Sequence, residues 1–253
     1  MTRNHVGAKA PFVLSALFAL AAAPFASALD GAAGKEFDRF DAGRGELIIT
    51  FLGHASLVFE YGGAYIYIDP VRQYADFSKL PKADLILVTH EHGDHLDPAA
   101  IASLKKLSTA IILPEASRAK LGSGEALEHG RVVQAAGISV EAVAAYNSSA
   151  GRTSYHPKRR KDNGYVLTVG ALRVYVAGDT EPTPEMALMG AIDIAFLPMN
   201  LPYTMSPEQV AAAARTIRPG ILYPYHFGST DTGLLTKLLA GEPGIEIRVR
   251  KLQ

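Results

Sequence analysis

The run Leu85-Ile86-Leu87-Val88-Thr89 passes straight into His90-Glu91-His92-Gly93-Asp94-His95. Apolar residues without alternation read as a strand buried on both faces, which places it inside a layered sheet structure. Three of the chain's eight histidines stand in the six residues that follow it. On a helix, residues two apart point about 200° from each other, so one face cannot present both His90 and His92. Gly93 also favours a loop. The helical metalloprotease pattern needs a second histidine four places after the first, and that place is Asp94. At an extended strand end, residues two apart share a side, so His90 and His92 can grip one ion together. A turn at Gly93 then aims Asp94 and His95 elsewhere, toward a second ion. Imidazole and carboxylate suit zinc, manganese and iron alike.

Two more apolar strands end in a ligand type beside a glycine. "LRVYVAGDT" delivers Asp179, and "ILYPYHFG" delivers His226. Around them β-rich runs recur: "ELIITF", "SLVFEY", "AYIYID", "AIILP", "RVVQ", "ISVEAVAAY", "GYVLTVG" and "IDIAFLP". Gly62-Gly63 predicts a hairpin turn. Asp97-Pro98 predicts a capped helix over "AAIASLKKL", and Ser206-Pro207-Glu208-Gln209 a capping box opening a helix to about Arg215. A last helix is expected near Leu234–Leu239, with a final strand in "IEIRVR". Strands in both halves with helices between them predict two packed sheets with helices outside.

The chain has 253 residues, 48% of them hydrophobic, enough for a sizeable core in one domain over residues 46–253. Lysines and arginines balance aspartates and glutamates at 25 each, so no general field draws nucleic acid or an anionic membrane. Absence of cysteine excludes disulfides, thiolate nucleophiles and cysteine metal sites. At the N-terminus, Arg3 and Lys9 precede an apolar run from Pro11 to Phe25 and then Ala26-Ser27-Ala28. That pattern reads as a secretory signal over residues 1–28, since a run of about 15 residues is short for a membrane span. The expectation is a periplasmic or secreted protein with no stable span after cleavage. Residues 29–45 read as a flexible lead-in.

With "THEHGDH", "GDT" and "YHFG" in place, the chain resembles the metallo-β-lactamase-fold hydrolases. "FLGHASLVFEYGGAYIYIDP", "HPKRRKDNGYVL", "VYVAGDTEP", "IDIAFLPMN" and "YTMSPEQVAAAA" resemble the ascorbate-6-phosphate lactonase-like branch, with N-acyl-phosphatidylethanolamine phospholipase D-like enzymes similar. The resemblance covers about residues 46–228. It implies an α+β fold, a four-layer αββα sandwich with the metal site at one edge of the sheets. It implies two divalent ions, zinc or manganese: His90 and His92 on the first, Asp94, His95 and His226 on the second, Asp179 bridging. Hydroxide held between them would cleave an ester, lactone, amide or phosphodiester of a small molecule. Asp94, His54 and His156 are the candidate catalytic residues.

One departure stands out. The third histidine of the first site is matched here by Asn147, in "AAYNSS". An amide oxygen is a weaker ligand than imidazole for such ions, so Asn147 as a ligand implies a weak first site or a single ion, unless His156 or His54 compensates. Asp69 could fix the tautomer of a ligand imidazole. The basic run His156–Asp162 reads either as a solvated loop or as a rim that steers an anionic substrate. The competing functional class is a non-catalytic periplasmic metal- or ligand-binding protein on the same fold.

Overall fold

The computed structural model describes residues 34–252. The expected signal segment, residues 1–28, lies outside the described residues. Among those described, no helix is long and apolar enough to cross a membrane. The first seven strands form one sheet in chain order: β1 (Phe37–Asp41), β2 (Glu46–Gly53), β3 (Ser56–Tyr61), β4 (Ala64–Ile68), β5 (Leu85–Leu87), β6 (Ala110–Leu113) and β7 (Glu125–Ala126). The next seven form a second sheet, again in order: β8 (Val132–Ala135), β9 (Ile138–Ala145), β10 (Asp162–Val169), β11 (Leu172–Val176), β12 (Ile194–Pro198), β13 (Ile221–Tyr225) and β14 (Glu246–Ile247). β1 to β4 pair antiparallel, and β4 to β7 parallel. The second sheet repeats the scheme, antiparallel from β8 to β11 and parallel from β11 to β14.

Alternation along the strands sorts the layers. Leu57, Phe59, Ile66, Ile68, Leu85 and Leu87 point into the core between the sheets, where they join Val140, Tyr165, Leu167, Val174 and Phe196. The intervening Val58, Tyr67, Ile86 and Val88 point outward and pack with Leu96, Ile101 and Leu104. The last two belong to α1 (Pro98–Leu104), which covers that face with Asp97 as its cap, accepting from the amides of Ala99 and Ala100. On the far face α3 (Pro207–Ile217) buries Val210, Ala213, Ala214 and Ile217. Its Ser206–Gln209 capping box is complete. The result is the α+β metallo-β-lactamase sandwich.

β3 and β4 close through Tyr61↔Ala64 across Gly62 and Gly63, at φ +58° and +81°. Left-handed backbone at two successive positions is cheap only for glycine. Several elements differ from the sequence reading. Part of the lead-in is strand β1, paired with β2 through five residues. Asp38 anchors it, accepting from Arg250 at 2.8 Å and from the Tyr223 hydroxyl. The strand gains order from these distant partners, which local composition does not reveal. Helix α2 (Glu115–Leu121) was not legible, because only Ser117 of its seven residues is buried and it carries no apolar stripe. In "IEIRVR" only Glu246–Ile247 pair as a strand, and α4 spans Thr232–Leu238.

Candidate metal centre

Each candidate ligand leaves the end of a strand or the loop beyond it. His54 follows β2, the His90–His95 segment follows β5, Asp179 follows β11 and His226 follows β13. His156 lies in the loop from β9 to β10. Parallel strands bring their C-terminal ends to one edge, so ligands far apart in the chain meet there. His54, Asp69 and His226 adopt φ of +53°, +46° and +49°. Such backbone costs a non-glycine residue about 1–2 kcal/mol and persists where neighbours enforce it. Here the His226 amide donates to the His54 carbonyl at 3.0 Å, and the His54 amide donates to the Leu252 carbonyl at 2.6 Å.

The side chains gather into two clusters. His90, His92 and His156 form one; His54, Asp94, His95 and His226 form the other. Asp179 stands between them. Its Oδ2 is 3.4 Å from His156 Nε2 and 3.3 Å from His226 Nε2, and its Oδ1 is 3.4 Å from His95 Nε2. Asp94 Oδ2 lies 3.3 Å from His54 Nε2 and 3.5 Å from His226 Nε2. His95 Nε2, His226 Nε2 and Asp179 Oδ1 are buried without a hydrogen-bond partner. An orphaned buried polar atom costs about 1–3 kcal/mol, and a cation at each cluster would satisfy all three. The donor set of imidazoles and carboxylates, each cluster touching Asp179, fits two divalent ions.

The third imidazole of the first cluster is His156, where the sequence reading had placed Asn147. Asn147 instead shapes the loop that carries this histidine. Its amide donates to the His156 carbonyl at 2.8 Å, and its Nδ2 donates to the carbonyls of Tyr203 and Arg152 at 2.7 and 3.2 Å. The reason is chain geometry: an eleven-residue loop, Tyr146 to His156, folds back and brings in a residue nine places on. His54 joins the second cluster, a place the resemblance does not assign it.

Behind the ligands, Asp69 accepts from the Thr89 amide at 2.7 Å and the Thr89 hydroxyl at 2.6 Å, and lies 2.7 Å from His95 Nδ1. The carboxylate holds the proton of His95 on Nδ1 and leaves Nε2 for an ion. Burial pushes His90 well below the usual histidine value. Burial and then the Arg160 charge push His92 down to about 4. Burial opposes charge on His95 too, but Asp179 and Asp69 outweigh it and hold that imidazole well above the ordinary value. Burial would raise Asp94 and Asp179; neighbouring imidazoles reverse this and hold both well below the carboxylate range.

A cleft of about 250 Å³ opens over the clusters, lined by His92, Asp94, Tyr155, His156, Asp179, Asn200, Tyr203 and His226. Tyr155 and Tyr203 meet edge to face at 5.1 Å on its wall. Sequence reasoning missed Tyr155 and Asn200, which follow a loop and a strand end with no motif of their own. Met205 and Tyr225 are core residues. The basic run divides: Arg160 turns inward onto His92 and His156, Lys158 lies over the Tyr146 ring and pairs with Glu185, and Arg159 and Lys161 face solvent. His129 is a surface residue whose Nε2 meets the Asp162 carbonyl.

The β-lactamase superfamily domain model matches residues 48–226. The UPF0173 metal-dependent hydrolase of Methanopyrus kandleri is 32% identical over 206 residues, which cover 72% of this chain and 84% of that one. The chain belongs to the UPF0173 metal-dependent hydrolase family. Another UPF0173 member, from Aeropyrum pernix, is 33% identical over 208 residues, covering 72% of this chain and 82% of its own. Among solved structures, a proposed metal-dependent hydrolase of Parabacteroides distasonis superposes with a TM-score of 0.84 at 51% identity, over 87% of this chain and all of that one. Igni18, a metallo hydrolase of Ignicoccus hospitalis, gives 0.68 at 25% identity, over 81% of this chain and 95% of its own. In this UPF0173 protein both clusters fall within the matched residues, since they run from His54 to His226.

Proposed function

We propose that this UPF0173 protein hydrolyses an ester, lactone, amide or phosphodiester bond of a small molecule, using two divalent ions, zinc or manganese. The observation that carries this reading is Asp179, buried and within 3.4 Å of imidazoles from both clusters, beneath an open cleft. Ions held in such sites acidify water and polarise the bond under attack. The chain's own residues supply the rest. Asp94 and Asp179 stay ionised and anchor the charge. His54, its pKa lowered by burial, is a neutral imidazole beside Asp94 that completes the donor set of the second cluster. Tyr155 and Tyr203 offer ring surface to a flat or apolar part of the substrate.

No lysine or arginine lines the cleft, so a charged substrate carries its anion at the ions or at the rim. Lys158 and Arg159 line a depression of about 460 Å³ beside Asn147 and Thr153, on the segment that carries His156. Residues 1–28 support export to the periplasm or beyond, where this hydrolysis takes place.

The test is turnover of a panel of aryl esters, lactones and phosphodiesters by protein loaded with zinc or manganese. Hydrolysis abolished by a chelator, restored by metal and lost in Asp94→Ala with the fold intact is the expected outcome. Tight metal binding with no turnover across the panel would instead establish the non-catalytic binding protein.

A further inference from the structure

The second cluster has an acceptor behind its histidine; the first has a donor. Arg160 is half-buried against the outer side of the first cluster. Its Nη1 is 3.0 Å from His92 Nε2, and its Nη2 is 3.2 Å from His156 Nδ1. Asp162 fixes it there, accepting from Nε at 2.8 Å and from Nη2 at 2.5 Å, while the Tyr155 carbonyl accepts from Nη2 at 3.2 Å. Glu91 lies 3.7 Å from Nη1.

Guanidinium has five donors and no acceptor. Both ring nitrogens that meet it are therefore bare, His156 Nδ1 sharing an Nη2 N–H with the Tyr155 carbonyl, and each neutral imidazole carries its proton on the opposite nitrogen. For His92 that is Nδ1, which faces His90 Nε2 at 3.0 Å. For His156 it is Nε2, which faces Asp179 Oδ2 at 3.4 Å. A single run of hydrogen bonds results: Arg160 to His92, His92 to His90, His90 Nδ1 to the Thr89 hydroxyl at 3.1 Å, and that hydroxyl to Asp69. On His92 and His156 the nitrogen turned toward the rest of the cluster is thus the protonated one, while His90 Nε2 is bare. A histidine that ligates a metal does the reverse, donating its outer N–H to an acceptor. His95 already has that arrangement through Asp69.

We propose that Arg160 is a positioning residue that holds His92 and His156 in the tautomers opposed to metal ligation. The His90–His92–His156 site then fills second and more weakly than the site of His54, Asp94, His95 and His226. Filling it requires the proton of each imidazole to move to its outer nitrogen and Arg160 to withdraw from those nitrogens. Asp162, 3.8 Å from His156 Nδ1, is the acceptor at hand. Occupancy of the first site then becomes a property set by one arginine, with a singly loaded form at low metal concentration. This inference rests on the metal-centre reading.

Calorimetric titration of zinc into chelator-treated full-length protein tests it. Two steps of unequal affinity are expected. Arg160→Met should tighten the weaker step by ~10-fold or more and leave the stronger one within ~2-fold, given that outer partners of ligand histidines shift affinity by about 10–100-fold. Arg160→Gln, which keeps a polar partner for Asp162, serves if the methionine variant does not fold. Long-range ¹⁵N correlation on metal-free wild-type protein should show His92 protonated at Nδ1, switching to Nε2 on loading. Two equal steps, an unchanged weaker step in both variants, or His92 already protonated at Nε2 would overturn the role of Arg160 alone. Failure to bind zinc at all would overturn the metal centre and this inference with it.

Discussion

Asp69 touches no residue of the cleft lining, yet it holds the proton of His95 away from the ion-facing nitrogen. Asp69→Asn removes the charge and puts an amide where the acceptor stood. Affinity at the second site should fall about 10–100-fold, measurable by competition with a chromophoric chelator; unchanged affinity would remove Asp69 from the support of the site. His95 also sets a pH dependence. Its pKa is raised in the metal-free protein, because Asp179 and Asp69 outweigh the cost of burial, so it keeps an extra proton to higher pH than an ordinary histidine. Ligation through Nε2 expels this proton, so binding competes with protons and strengthens as pH rises, levelling off above the raised pKa. Calorimetry at pH 7 in two buffers of different ionisation enthalpy should report proton release on metal binding. Equal heats in the two buffers would contradict it.

At the scale of elements, the site depends on strand ends that leave no room. Gly178, between β11 and Asp179, has φ +65°, and a Cβ there would meet the Asn163 carbonyl at 2.8 Å and the Thr89 Cβ at 3.0 Å. Gly178→Ala should destabilise the metal-free protein by about 2–4 kcal/mol, combining left-handed strain with overpacking. Denaturant unfolding checks this, and a loss under about 0.5 kcal/mol, the range of surface substitutions, would contradict it. These strand ends are also what made most of the site legible. His90, His92, Asp179 and His226 follow apolar runs whose period announces a strand, so strand and ligand are read together. His156 follows a loop with no period, and its place depends on how Asn147 and Arg152 fold that loop back. Helix α2 and strand β1 were hidden for a related reason: each is held by contacts with sequence-distant partners or has no apolar stripe of its own.

The whole molecule is two copies of one plan, four antiparallel strands running into parallel ones, placed face to face. Each half contributes ligands: His54 to His95 from the first, His156 to His226 from the second. The Asn163 amide donates to the Thr89 carbonyl at 2.9 Å, and the Tyr165 hydroxyl to the Val88 carbonyl at 2.7 Å, tying the sheets together beside the clusters. Neither half holds a complete site, so the centre exists only when both sheets have docked. The most direct measurement is metal bound per chain, by plasma mass spectrometry after equilibrium dialysis against saturating zinc or manganese, for wild type, Asn147→Ala and His156→Ala. Two ions on wild type, two on Asn147→Ala and one on His156→Ala are expected. No ion on wild type, or two still held by His156→Ala, would contradict a paired centre with His156 among its ligands.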